Sequence, residues 1–202
     1  MPTEPKDENG LTLAEFLARY DMTKYPRPSV TADSVVISGF PARPAVLLIK
    51  RRNHPFIGKW AFPGGFLHMD ESPEEGAARE LNEEAGVAGI DPVQLGAYGR
   101  PDRDPRGRII TIAYLWTLPE GAAPKAADDA ADAGVFEIEL IGGDTIRLVC
   151  REKGVTLSVP YAVKNGRAEY KGETDLAGDH SQILADALIR LGLIRAEQPE
   201  IR

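Results

Sequence analysis

Residues 63–87 read PGGFLHMDESPEEGAARELNEEAGV, and three glutamates, Glu80, Glu83 and Glu84, fall within five consecutive positions. Like charges three and four apart on a helix repel one another. Yet the stretch carries a strong helix start in Ser72-Pro73-Glu74-Glu75. Ser72 is a good N-cap, Pro73 suits the first helical position, and Glu75 completes a capping box. Gly86 is placed to end the helix, so the pattern predicts a helix over residues 73–85. At about 100° per residue, Ala77, Ala78, Leu81 and Ala85 share one face and Glu80, Glu83 and Glu84 another. The small apolar face allows close approach to a sheet. The acidic face has Arg79 as its only nearby cation within the helix. Gly64 and Gly65 come just before, where the chain turns tightly or backbone approaches closely. A solvated acidic face is the ordinary outcome for a glutamate-rich helix. The missing counter-charge and the double glycine favour another outcome, because oxygen-rich clusters suit hard divalent cations. A cation turns the repulsion into coordination.

The 202 residues, 43% of them hydrophobic, fit a single domain over 1–202 with a sizeable core. The formal net charge is -7, with no dense Lys/Arg run. Partners that rely on phosphate neutralisation along DNA or RNA are therefore not expected. Small phosphorylated substrates are compatible with an acidic chain, since a bound cation reverses the local charge. One cysteine, Cys150, excludes an intramolecular disulfide and fits a reducing compartment. No apolar run approaches a membrane span, and MPTEPKDENG lacks a signal peptide's basic start and apolar stretch. The expectation is a cytoplasmic protein with no membrane partner and a disordered segment over 1–10.

Outward from the helix, VTADSVVIS, PAVLLIKRR, VQLGAYGRP, RIITIAYLWTL and VFEIEL read as strands. LTLAEFLARY reads as a short amphipathic helix, with Leu13, Phe16, Leu17 and Tyr20 on one side. HSQILADALIRLGL reads as a second amphipathic helix with Asp179 as its N-cap. Between residues 144 and 172 the turn signals EKG and KNG separate runs of an antiparallel meander. Strands mixed with helices and hairpins give an α/β class with a mixed sheet covered by helices.

Gly65, Glu71 and the run Arg79-Glu80-Leu81-Asn82-Glu83-Glu84-Ala85-Gly86-Val87 match the pattern G-x5-E-x7-R-E-U-x-E-E-x-G-U, with U aliphatic. The chain thereby resembles the Nudix hydrolases. That resemblance implies a Nudix fold, an α/β/α sandwich with a mixed sheet, here with residues 144–172 as an inserted hairpin or meander. It also implies hydrolysis of a diphosphate linked to another moiety, with Mg2+ or Mn2+. Carried over by position, Glu80, Glu83 and Glu84 are the metal ligands, with Glu80 as the alternative base that activates water. Arg79 orients Glu80, Glu71 anchors the loop through Arg79, and Gly65 approaches the substrate.

Segments outside the box, among them LLIKRRNHPFIGKWAFPGGF and RPDRDPRGRIITIAYL, resemble the ADP-ribose pyrophosphatase group. Pro101 follows Gly86 by a spacing habitual in that group. Arg52, Arg103 and Arg106 are candidate contacts to substrate oxygens. The competing reading of 101–108 is a surface turn whose aspartates and arginines pair with each other. Asp128, Asp129 and Asp132 are candidates for an additional acidic catalytic residue, with Asp132 best placed. His54 and His68 read as surface residues, His180 as structural, Trp60 and Phe62 as core, and Tyr98 as core or, alternatively, as a ring that stacks an adenine. Gly178 departs from the group, whose members often carry Phe there. The expected partner is a small nucleotide substrate. The alternatives are nucleoside triphosphates or oxidised nucleotides, and a catalytically silent ligand sensor, disfavoured by an intact box and only 22 residues after His180. Residues 11–40 are the candidate contacts of a homodimer.

Overall fold

The sheet begins with strands that are apolar on both sides. Strand β1, Ser29–Ser38, alternates Ala32 and Val36 on one face with Val35 and Ile37 on the other. Strand β2, Ala45–Lys50, alternates Leu47 against Val46 and Leu48. Strand β6, Ile109–Thr117, alternates Tyr114 and Trp116 against Ala113 and Leu115. A period of two with apolar residues on both faces requires a cover on each side. The computed structural model describes residues 4–119, 122 and 133–195, and supplies both covers.

Helix α2, Pro73–Ala85, lays Ala77, Leu81 and Ala85 on the face of Ala32, Val36, Leu47 and Trp116. The alanines hold the helix close to the sheet, and Ser34 Oγ reaches the Ala77 carbonyl at 3.4 Å. Helix α3, His180–Arg190, covers the opposite face with Ile183, Leu184, Ala187 and Leu188. Both ends of α2 follow the sequence: Ser72 and Glu75 form the capping box, and Gly86 closes the helix in the left-handed conformation. Asp179 does stand at the N-cap of α3, but its side chain makes no capping bond. The carboxylate is used elsewhere, as described below.

The remaining strands are β3 (Trp60–Ala61), β4 (Gly64–Phe66), β5 (Val93–Tyr98), β7 (Ala133–Ile141), β8 (Thr145–Cys150), β9 (Val155–Pro160), β10 (Val163–Lys164) and β11 (Arg167–Ala168). The main sheet runs β5-β6-β1-β2-β7-β8-β9, with β3 beside β2 and β4 beside β1. The pairing β1–β6 is parallel and the other pairings are antiparallel, so the sheet is mixed as expected. The chain is thus an α/β/α sandwich.

Three expectations are sharpened. The segment 144–172 is continuous with the sheet: β8 pairs with β7 and β9 with β8, and only β10–β11 forms a separate two-stranded ribbon. The strand expected at VFEIEL starts earlier, at Ala133, because that stretch pairs with Ala45–Ile49 of β2. Within residues 1–10, the described part is not featureless: the Asp7 carboxylate accepts from the Asn9 and Leu11 N–H groups and fixes a turn. Helix α1, Leu13–Arg19, forms on a Thr12–Glu15 capping box, with none of its residues buried. No helix among the described residues is long and apolar enough to cross a membrane.

Candidate active site

Strand β4 and the start of α2 are joined by a loop that Arg79 holds closed. Arg79 donates from Nε and Nη2 to the two oxygens of Glu71, at 3.0 and 2.8 Å. It also donates from Nη1 to Glu80 Oε1 at 2.8 Å and from Nη2 to the Phe66 carbonyl at 3.3 Å. Glu71 in turn accepts the His68 N–H at 2.7 Å. The Arg79 guanidinium and that amide hold the Glu71 carboxyl down at about 2, and the two glutamates raise Arg79. These bonds tie Glu71, at the loop, to Arg79 on the helix. Gly76, which the sequence reading passed over, is needed for the same packing. A Cβ there would stand 2.3 Å from Leu67 Cδ2 and 2.9 Å from Glu71 Oε1.

Each of the two glycines of β4 meets one glutamate of the box. The Gly64 N–H donates to Glu84 Oε2 at 2.8 Å. A Cβ on Gly65 would fall 2.3 Å from Glu80 Oε1, so only glycine leaves that carboxylate its place. Burial pushes the Glu84 carboxyl up to about 7, and the negative charges of Glu80 and Asp33 add to the rise against the opposing Gly64 N–H and Arg51. Glu83 is the outermost of the three, 58% exposed and 3.5 Å from Arg79 Nη1. Among the described residues, no three His, Cys, Asp or Glu groups already form a metal-holding set. The two inner glutamates are instead bound to Arg79 and to the Gly64 amide.

On the other side of this glycine turn opens a cleft of about 210 Å3. Its floor is Asp33, a buried aspartate in the middle of β1. Thr111 of β6 donates to Asp33 Oδ2 at 2.6 Å, and a Cβ on Gly64 would lie 2.8 Å from Asp33 Oδ1. His180, the first residue of α3, accepts the Phe62 N–H at Nδ1 (3.0 Å), which leaves the proton on Nε2, 3.9 Å from Asp33 Oδ1. Its ring stacks on Phe62 at 5.0 Å between centroids. Burial lowers its proton affinity, so a neutral imidazole is built into the back of the cleft. Sequence reading assigned His180 a structural part and missed Asp33. The signal for Asp33 was present: an aspartate at the centre of an apolar strand needs a partner.

The candidate arginines separate. Arg103 lines the cleft but is 8% exposed, and donates from Nε and Nη2 to the two oxygens of Asp179 at 2.8 and 2.7 Å. The expectation of a free substrate contact is corrected here: the guanidinium ties the 100–108 loop to the start of α3. Arg106 grips Asp104 with two bonds of 3.0 and 2.7 Å, as the surface-turn reading required. It nevertheless lines the cleft, 43% exposed, with its guanidinium 5.1 Å from the centre of the Phe66 ring. Arg51, the residue just past the end of β2, lines the cleft in place of Arg52. Adjacent residues of extended chain point to opposite sides. Asp128, Asp129 and Asp132 lie outside the described residues.

The NUDIX domain family pattern matches residues 28–148. An ADP-ribose pyrophosphatase from Methanocaldococcus jannaschii is 38% identical over 127 residues, 61% of this chain and 72% of that protein. A MutT/nudix family protein from Enterococcus faecalis superposes with a TM-score of 0.74 at 34% identity, covering 96% of this chain and 74% of that one. The NUDIX domain of Shewanella oneidensis NrtR, solved in complex with ADP ribose, superposes with a TM-score of 0.62 at 28% identity over 90% and 99% of the two chains. A box held by Arg79, a glycine turn shaped to two glutamates, and these likenesses agree: the chain belongs to the NUDIX domain family and is a hydrolase of pyrophosphate bonds.

Proposed function

We propose that the chain hydrolyses ADP-ribose to AMP and ribose 5-phosphate, using Mg2+ or Mn2+ held by Glu80, Glu83 and Glu84. The observation that carries this is the pair of glycines standing between a carboxylate cluster and a cleft lined by Arg51 and Arg106. The substrate assignment is supported by the ADP-ribose pyrophosphatase relative and the ADP ribose-bound domain.

The residues fit a hard divalent cation by donor type and by charge. All three donors are carboxylates, and the mutual repulsion of Glu84, Glu80 and Asp33 marks a surplus of negative charge. Bound there, the cation lowers the pKa of a water and offsets charge on the phosphate oxygens. The chain's own groups supply orientation. Glu71 fixes Arg79, Arg79 fixes Glu80, and the Gly64 amide fixes Glu84. Arg106 presents a planar fork, preset by Asp104, for phosphate oxygens. Water adds to one phosphorus in line as the bridging P–O bond breaks.

The test is AMP release from ADP-ribose in Mg2+ with and without excess EDTA. Turnover that requires the cation is expected. Full turnover in EDTA contradicts the metal assignment, and binding without turnover identifies a sensor instead.

A further inference from the structure

A second cavity of about 320 Å3 lies against the cleft, and the two share Phe56, Arg103 and Gly178 as a common wall. Phe56 stands in that wall with φ of 63°, a conformation a bulky residue adopts only where its surroundings force it. Gly178 stands beside it at ordinary packing distance: a Cβ there would lie 3.5 Å from the Phe56 ring. Three of the cavity's other residues, Tyr170, Glu173 and Leu176, lie outside the segment that matches the family pattern.

The chemistry of this cavity differs from that of the cleft. The Arg100 guanidinium lies 3.5 Å from the centre of the Tyr170 ring, so the pair is a flat cation–aromatic stack. Arg100 is paired with Asp102 at 2.8 Å, although the angle misses hydrogen-bond geometry and its buried Nε stays unsatisfied. Lys59 is turned onto the Thr174 carbonyl, and Arg103 is neutralised by Asp179. Lys59 and Arg100 therefore face Asp102 and Glu173 in equal number. A charge-balanced cavity with a flat stack suits a neutral planar ring better than a phosphate. With Asp102 on Arg100, Glu173 is the acceptor available to an amine.

We propose that this cavity holds the nucleobase of the substrate, stacked on Arg100–Tyr170, and that Glu173 selects a purine bearing an exocyclic amine. The inference rests on the reading of the substrate as a nucleoside diphosphate derivative. It makes Tyr170, Arg100 and Glu173 determinants of specificity, with Phe56 dividing base from diphosphate.

The test compares the full-length chain with Tyr170→Phe, Tyr170→Ala and Glu173→Ala. Measured quantities are kcat and KM for ADP-ribose and for IDP-ribose, and inhibition constants for AMP and ribose 5-phosphate. Tyr170→Ala is expected to raise KM for ADP-ribose and the AMP constant roughly tenfold. The ribose 5-phosphate constant and kcat should move less than about twofold, and Tyr170→Phe should stay near wild type. Glu173→Ala, an exposed change that leaves folding intact, should lower the preference for ADP-ribose over IDP-ribose several-fold. An unchanged AMP constant in Tyr170→Ala, or a weakened ribose 5-phosphate constant instead, overturns the base assignment. If Tyr170→Ala does not fold, an unchanged ADP/IDP preference in Glu173→Ala overturns it equally. A wild-type protein that turns over no nucleoside diphosphate derivative refutes the functional reading first, and the inference with it. That failure is seen before any variant is made.

Discussion

Replacing Glu84 by glutamine removes the charge from the most crowded carboxylate of the box while keeping an oxygen for the Gly64 N–H. In the folded chain this carboxyl protonates at about 7, against an ordinary value of 4.5. That gap corresponds to roughly 3 kcal/mol at about 1.36 kcal/mol per pH unit, and water reaching part of the side chain reduces it to about 1–3 kcal/mol. The folded state binds the proton more tightly than the unfolded one. Stability from this group is therefore complete below pH 4.5 and is lost as pH rises through about 7. Glu84→Gln, compared with wild type in excess EDTA, should be more stable at pH 8 by about 1–3 kcal/mol, or roughly 2–12 °C in melting temperature. At pH 4.5 the two should coincide. The same variant should lose at least about 10²-fold in kcat with Mg2+ present. Denaturant melts at both pH values decide the matter. A variant that gains nothing at pH 8, or gains equally at pH 4.5, refutes the reasoning that charge crowding destabilises the metal-free box.

Three further outcomes follow from the site. Arg103→Ala should cost about 3–5 kcal/mol in urea unfolding, because it leaves the buried Asp179 carboxylate unpaired; a variant of wild-type stability would return Arg103 to the free arginines. Arg106→Ala should lower kcat/KM for ADP-ribose roughly tenfold, and should also cost some stability because it leaves the buried Asp104 carboxylate without its ion-pair partner. Gly65→Ala should lower kcat with a small change in melting, since its Cβ meets only the end of Glu80; Gly64→Ala should destabilise the fold, since its Cβ would stand 2.2 Å from the Ala32 carbonyl oxygen. Equal effects on melting in the two glycine variants would show that the turn is less tightly built than described.

The box was legible because its requirements are local. Ser72, Pro73, Glu75 and Gly86 set the ends of α2 by capping rules, and the strand-like runs between helices announced a mixed sheet covered by helices. What stayed hidden depends on residues far apart in the chain. Arg103 looked like a free cation because its partner, Asp179, lies 76 residues away. Asp179 looked like a simple N-cap for the same reason. His180 acquires its place only when α3 brings it onto Phe62, 118 residues distant. Arg52 was the candidate, but its neighbour Arg51, just past the end of β2, lines the cleft.

The most direct measurement of the central claim is kcat/KM for ADP-ribose against dGTP and 8-oxo-dGTP, in Mg2+, with products identified. The account requires ADP-ribose to be the best of the three, with AMP and ribose 5-phosphate released and turnover abolished by EDTA. A preferred triphosphate, together with an Arg106→Ala variant of unchanged kcat/KM, would contradict the ADP-ribose assignment and leave only the family membership standing.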